Sequence, residues 1–144
     1  MKLLNELSHC LENGTQEEKL HLLSHLHDVF ESYIYRPNEL EDLEKIVGLL
    51  ITYAITSQDE ELVYEALDTI VMAEMGKNLQ WPCFDELWNN MRNVKEKILA
   101  RCIDILSFTH NKKYLPAILE YSASEDAVVR QAVQEALQEF GVTP

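Results

Sequence analysis

Glycine and proline are scarce in this chain of 144 residues, with four of each. So few turn-formers speak against both intrinsic disorder and hairpin-rich β architecture. No stretch alternates β-branched with polar residues, which removes the usual strand signature. Cysteine is sparse too: Cys10, Cys83 and Cys102 are odd in number and form no C-x-x-C pair. Such a set builds no disulfide framework, and reduced thiols in a cytoplasmic protein are its simplest account. Long hydrophobic runs are missing. The longest, "IVGLLITYAI" from Ile46 to Ile55, spans ten residues, about half of a membrane span, and reads as a buried helix. The opening "MKLLNELSHC" meets an acid at Glu6, too early for the apolar core of a signal peptide, so no leader is expected.

Basic residues are the last scarcity. Lys and Arg number 12 against 25 Asp and Glu, a formal charge of −13. The imbalance is uneven: residues 1–75 carry 16 acids against 4 bases, whereas residues 76–144 carry 9 against 8. Binding of nucleic-acid phosphates needs a basic stripe, and neither half supplies one. An acid excess confined to one half implies a polarised surface.

What is present is helix. Hydrophobic residues make up 47% of the chain, enough to bury a core without metals or disulfides in one domain of this length. A first helix covers about Lys2 to Glu12 and stops at Asn13-Gly14. A second opens on Thr15, with Glu18 three residues on as a capping box, and runs to about Tyr35 before Pro37. A third starts at Asn38, with Glu41 in the same relation, and reaches Ile55; a fourth runs from Ser57–Asp59 to Gly76. Shorter helices follow over about Pro82–Met91 and Lys113–Tyr121, the latter with Pro116 near its start, where proline costs least. Between them lies a long helix from about Asn93 to Phe108, and a last one is capped by Ser124 and ended by Gly141. The expectation is all-α: eight helices, successive ones antiparallel.

One rhythm recurs. In the last helix the apolar residues Val128, Ala132, Val133, Ala136, Leu137 and Phe140 make a broad stripe. Thirty-four residues earlier stand Val94, Ile98, Leu99, Cys102, Ile103 and Leu106. Thirty-two before those stand Leu62, Ala66, Leu67, Ile70 and Val71, with Glu74 breaking the final position. Such periods mark an array of helix pairs. "SEDAVVRQAVQEALQEFG" resembles the second helix of a HEAT-like repeat through Asp126, Val129-Arg130, Ala132 and Ala136-Leu137, and Pro116 in the preceding helix suits that family. The resemblance implies one domain over residues 1–144, a short right-handed α-solenoid of about four antiparallel helix pairs. Its repeats are clearest over 57–141, and 1–56 are degenerate terminal pairs.

Catalytic groupings are thin. His21 and His25 share a helix face, and Glu6–His9 and Glu18–His21 each read E-x-x-H, the unit from which di-iron bundles are built. The first helix is short, however, and the following helices offer no inward Glu within an apolar stripe. Ordinary histidines are therefore the expectation, with no metal and no cofactor. Cys102 takes a core position, Cys83 follows a proline and Cys10 adjoins His9, an arrangement that recommends no catalytic thiol. Phosphate loops and nucleophile elbows are absent. The expectation is a protein that is not an enzyme. Trp81 and Trp88 either pack the irregular segment between repeats or serve as contact anchors.

The acids offer more. With Leu62, Ala66, Leu67 and Ile70 inward, Glu61, Tyr64, Glu65 and Asp68 fall on the outer face of the fourth helix. Glu39 and Asp42 lie just upstream, and Trp88 is a further candidate anchor. Such a strip is either a solvated face or a landing site for a cationic protein, whose association its field would speed. A small acidic helical protein of this kind resembles the immunity proteins of bacterial contact-dependent growth inhibition and related polymorphic toxin systems. That resemblance implies a cytoplasmic monomer that pairs one-to-one with a cognate toxin, often a basic nuclease domain, blocks its active site or substrate path, and touches neither nucleic acid nor membrane. An adaptor or assembly factor using the same surface is the alternative, and a metal-dependent E-x-x-H enzyme a more distant one.

Overall fold

The computed structural model describes residues 2–32, 40–75 and 79–142. Eight α-helices and no strands occur among them: α1 (Lys2–Asn13), α2 (Gln16–Ser32), α3 (Leu40–Thr56), α4 (Glu60–Glu74), α5 (Cys83–Asn90), α6 (Glu96–Phe108), α7 (Leu115–Leu119) and α8 (Ala127–Glu139). The protein is all-α, and none of these helices is long and apolar enough to cross a membrane. The chain divides into two compact units, Met1–Ala73 and Glu74–Pro144.

In the first unit α1 packs against both α2 and α3. The capping box at α2 forms with both of its bonds: Glu18 N donates to Thr15 Oγ1 at 3.1 Å, and Thr15 N donates to Glu18 Oε1 at 3.2 Å. Two of the helix's orphan donors are thereby satisfied. Those bonds, the backbone one first, hold the Glu18 carboxyl below the usual glutamate range. Gly14 is required by close approach, because a Cβ there would stand 2.7 Å from Cys10 O. Asp59 caps α4, its Oδ1 accepting from Leu62 N at 3.2 Å. The apolar run expected to be a buried helix lies in α3, with Ile46, Val47, Leu50 and Ile51 all buried. The expected starts at Asn38 and stop at Gly76 lie outside the described residues.

In the second unit α6 and α8 share the most extensive helix contact. Side chains tie residues at a nearly constant separation: Arg92 to Glu120, Ser124 to Glu96, Tyr114 to Asp85 and His110 to Glu139, all 28 or 29 apart. The start of α6 (Glu96) meets the turn leading into α8 (Ser124), and the turn after α6 (His110) meets the end of α8 (Glu139), so the two helices run in the same direction. The last helix ends as a Schellman motif: Gly141 has φ +68°, Val142 N donates to Leu137 O at 2.9 Å, and Gly141 N to Gln138 O at 3.0 Å.

Three expectations change here. The cap of α8 is Asp126, whose Oδ1 accepts from Val128 N at 2.8 Å, while Ser124 instead braces the turn through Asp126 N at 3.1 Å. With the helix starting at Ala127, Val128 is 67% exposed and Val129 is buried in its place. At about 100° per residue, Val129 lies near the middle of the arc formed by Ala132, Val133, Ala136 and Leu137, and Val128 lies off its edge. Likewise α6 begins at Glu96, leaving Val94 in extended backbone and half-buried. The remaining rhythm of α4, α6 and α8 is buried as expected, Cys102 included; burial pushes its thiol up to about 12.

Candidate protein-binding site

The face of interest lies in the first unit, where α4 runs beside α2. Gln16 Nε2 donates to Glu61 Oε2 at 3.4 Å, Thr69 Oγ1 to Leu23 O at 3.5 Å, and His27 Nε2 stands 3.6 Å from Asp68 Oδ2. Early α2 residues meet early α4 residues and late meet late, so these two helices also run in the same direction. The buried face of α4 is wide. Val63, Thr69 and Ala73 join Leu62, Ala66, Leu67, Ile70 and Val71 inside, covering about 200° of the helix.

That width decides what remains outside. Glu61 and Tyr64 are exposed, whereas Glu65 and Asp68, expected on the outer face, are half-buried. Asp68 is covered in part by His27 of α2. α2 adds acids that the pattern of α4 alone does not reveal: Glu17, Asp28 and Glu31 are exposed. Asp42 is half-buried on α3, and Glu39 lies outside the described residues.

Trp88 belongs to the second unit, on α5. Its ring meets Tyr114 edge-on, centroids 5.3 Å apart, and Lys113 Nζ lies 5.9 Å from the ring centre. Half-buried, it lines a surface cleft with Arg92, Pro116, Glu120 and Tyr121. Trp81 stacks on Phe84 with centroids 6.2 Å apart. Both tryptophans make packing contacts within this unit.

The second unit also buries an acid. Contrary to the expectation that no helix after α1 turns a Glu inward within its apolar stripe, Glu74 at the end of α4 is 0% exposed, and neither of its carboxylate oxygens has a hydrogen-bond partner. Burial, followed by the nearby charge of Asp104, raises its proton affinity well above the usual glutamate range. Asp104 itself is pushed up to about 6, chiefly by burial, despite Arg101 at 3.5 Å. The three cysteines are free thiols. His21 and His25 are exposed on α2. Three potential metal donors do converge, at His27, Asp28 and Glu31, a grouping distinct from the E-x-x-H pairs. The signal for it was the i, i+4 spacing of His27 and Glu31 in "HDVFE".

Comparison with protein-family models, with curated proteins and with solved structures finds no match to this chain.

Proposed function

We propose that this protein is a non-enzymatic protein-binding module, an immunity protein that captures a cationic toxin domain on the acidic face of its first unit. The observation that carries the reading is the charge of that unit: 15 Asp and Glu against 4 Lys and Arg over residues 1–73. Four cations cannot neutralise so many carboxylates from within the unit, and the excess creates a field that steers and orients a basic partner. Glu61 and Tyr64 supply exposed contacts, Glu65 and Asp68 the charged margin beside α2, and Asp42 and Glu39 belong to the same acidic half. Trp88, the further candidate anchor, belongs to the second unit and is not counted in this face.

The architecture proposed for this task is the short right-handed HEAT-like solenoid of about four antiparallel helix pairs, a single domain in function. The same-direction runs of α2 beside α4 and α6 beside α8 support it, since every second helix of such an array points the same way. Stacked pairs present a pre-organised surface that loses little entropy on docking. In this reading the protein works in the cytoplasm as a monomer, forms a one-to-one complex, needs no cofactor, and contacts neither nucleic acid nor membrane.

The experiment is co-expression with whatever protein is encoded immediately upstream of its gene, which this reading expects to be a basic toxin. Growth should be rescued by the wild-type chain, and the two proteins should co-purify at equal stoichiometry. Rescue without a complex, or a complex without rescue, contradicts the proposal.

A further inference from the structure

Toward its C-terminal end α2 directs a mixed set of donors to one side. His27 and Glu31, four residues apart, lie one above the other on the helix, and Asp28 stands about 100° round from His27. One atom from each, an imidazole nitrogen and two carboxylate oxygens, lies within 4.8 Å of the other two. Asp68 reaches across from α4 to place Oδ2 at 3.6 Å from His27 Nε2. The imidazole is only 28% exposed, so its position is set by packing between two helices.

We infer that His27, Asp28 and Glu31 form a binding site for a divalent transition-metal ion, with Zn²⁺ the best match. The donor types select the metal. Imidazole nitrogen suits zinc and its neighbours, whereas Ca²⁺ and Mg²⁺ favour shells built from oxygen alone. Donor separations around a tetrahedral zinc are about 3.3 Å, from metal–ligand distances of about 2.0–2.1 Å. Contracting the present triangle to that size needs rotamer changes in two exposed acids, while the helix stays as it is. A chelate spanning i and i+4 requires no loop to close. Three protein donors leave a coordination position for water, as in open zinc sites. The surplus of carboxylates in the first unit, Asp68 nearest among them, favours a dication electrostatically. The inference stands independently of the toxin-binding proposal, since it concerns a small ion and no protein partner.

The test is calorimetric titration of chelator-treated protein with Zn²⁺, and separately with Ca²⁺ and Mg²⁺. One Zn²⁺ per chain should bind saturably, with neither of the other ions competing at equal concentration, and uptake should weaken as acid competes for the imidazole. His27→Gln and Glu31→Gln should each weaken binding by at least about tenfold, by loss of a direct ligand. Glu31 is exposed, so its variant leaves the core untouched. His21→Gln/His25→Gln and Cys10→Ser/Cys83→Ser should bind as the wild type does, which separates this site from other donors in the chain. Absence of saturable uptake, or uptake unchanged by either His27→Gln or Glu31→Gln, overturns the assignment.

Discussion

The second unit spends its charges internally, and the first does not have the cations to do so. In the second, Arg92 meets Glu120 at 2.8 Å, Lys113 meets Asp85 at 2.9 Å, and His110 meets Glu139 at 2.7 Å. Each joins residues from successive segments, and each is partly exposed. Such pairs contribute about 0–1 kcal/mol, so they register one segment against the next more than they stabilise. In the first unit 15 acids share 4 bases. Self-repulsion there works against compactness, and a basic partner would relieve it. One unit pairs many of its charges within itself, and the other is left with a surplus of negative charge.

The contrast breaks first at Glu74, where the second unit violates its own pattern. A buried polar group without a hydrogen bond costs about 1–3 kcal/mol. Glu74→Met should therefore stabilise the protein by about that much at neutral pH, measured by urea unfolding. The sign with pH follows from the raised proton affinity of the folded state. Between the ordinary glutamate value and the raised one, the folded chain holds the extra proton, so stability falls as pH rises through that window. The advantage of the variant should accordingly be greatest in mild alkali and shrink on acidification. An advantage independent of pH would mean that the carboxyl is ionised or paired when folded.

A second test sharpens the contrast between surfaces. Glu61→Lys combined with Asp68→Lys should slow association with the basic partner about tenfold and flatten its salt dependence. Glu125→Lys, an exposed reversal in the second unit, should leave the rate nearly unchanged. Equal effects would abolish the distinction between the units. A third test compares two neighbours on α8, one of which should hardly respond. Val129→Ala should cost about 2 kcal/mol for the buried methyl groups lost, and Val128→Ala less than about 0.5 kcal/mol.

That pair of valines also marks where sequence reading reaches its limit. The stripe was visible because Ala132, Val133, Ala136 and Leu137 repeat at helical spacing, and the ends at Thr15, Pro116 and Gly141 follow from local chemistry. The start of α8 did not, since Ser124 and Asp126 are both competent caps and the choice moves the helix by two residues. On α4, Thr69 is polar yet fully buried; its hydroxyl donates to Glu65 O at 2.8 Å, which lets it sit inside. Placing Thr69 inside narrows the acidic strip on the side of Glu65, and His27 of α2 covers part of Asp68. The grouping of Asp68 with His27 depends on which helix lies beside which, information that periodicity within one helix does not hold.

Cys102 gives the second unit a chemical clock. Burial pushes its thiol up to about 12, so at neutral pH the side chain stays the unreactive thiol, and it has no exposed surface. Cys10 and Cys83, both half-exposed, are accessible to an alkylating reagent in the native state. Cys102 reacts only when α6 parts from its neighbours, so its labelling rate counts the openings of that core, one molecule at a time.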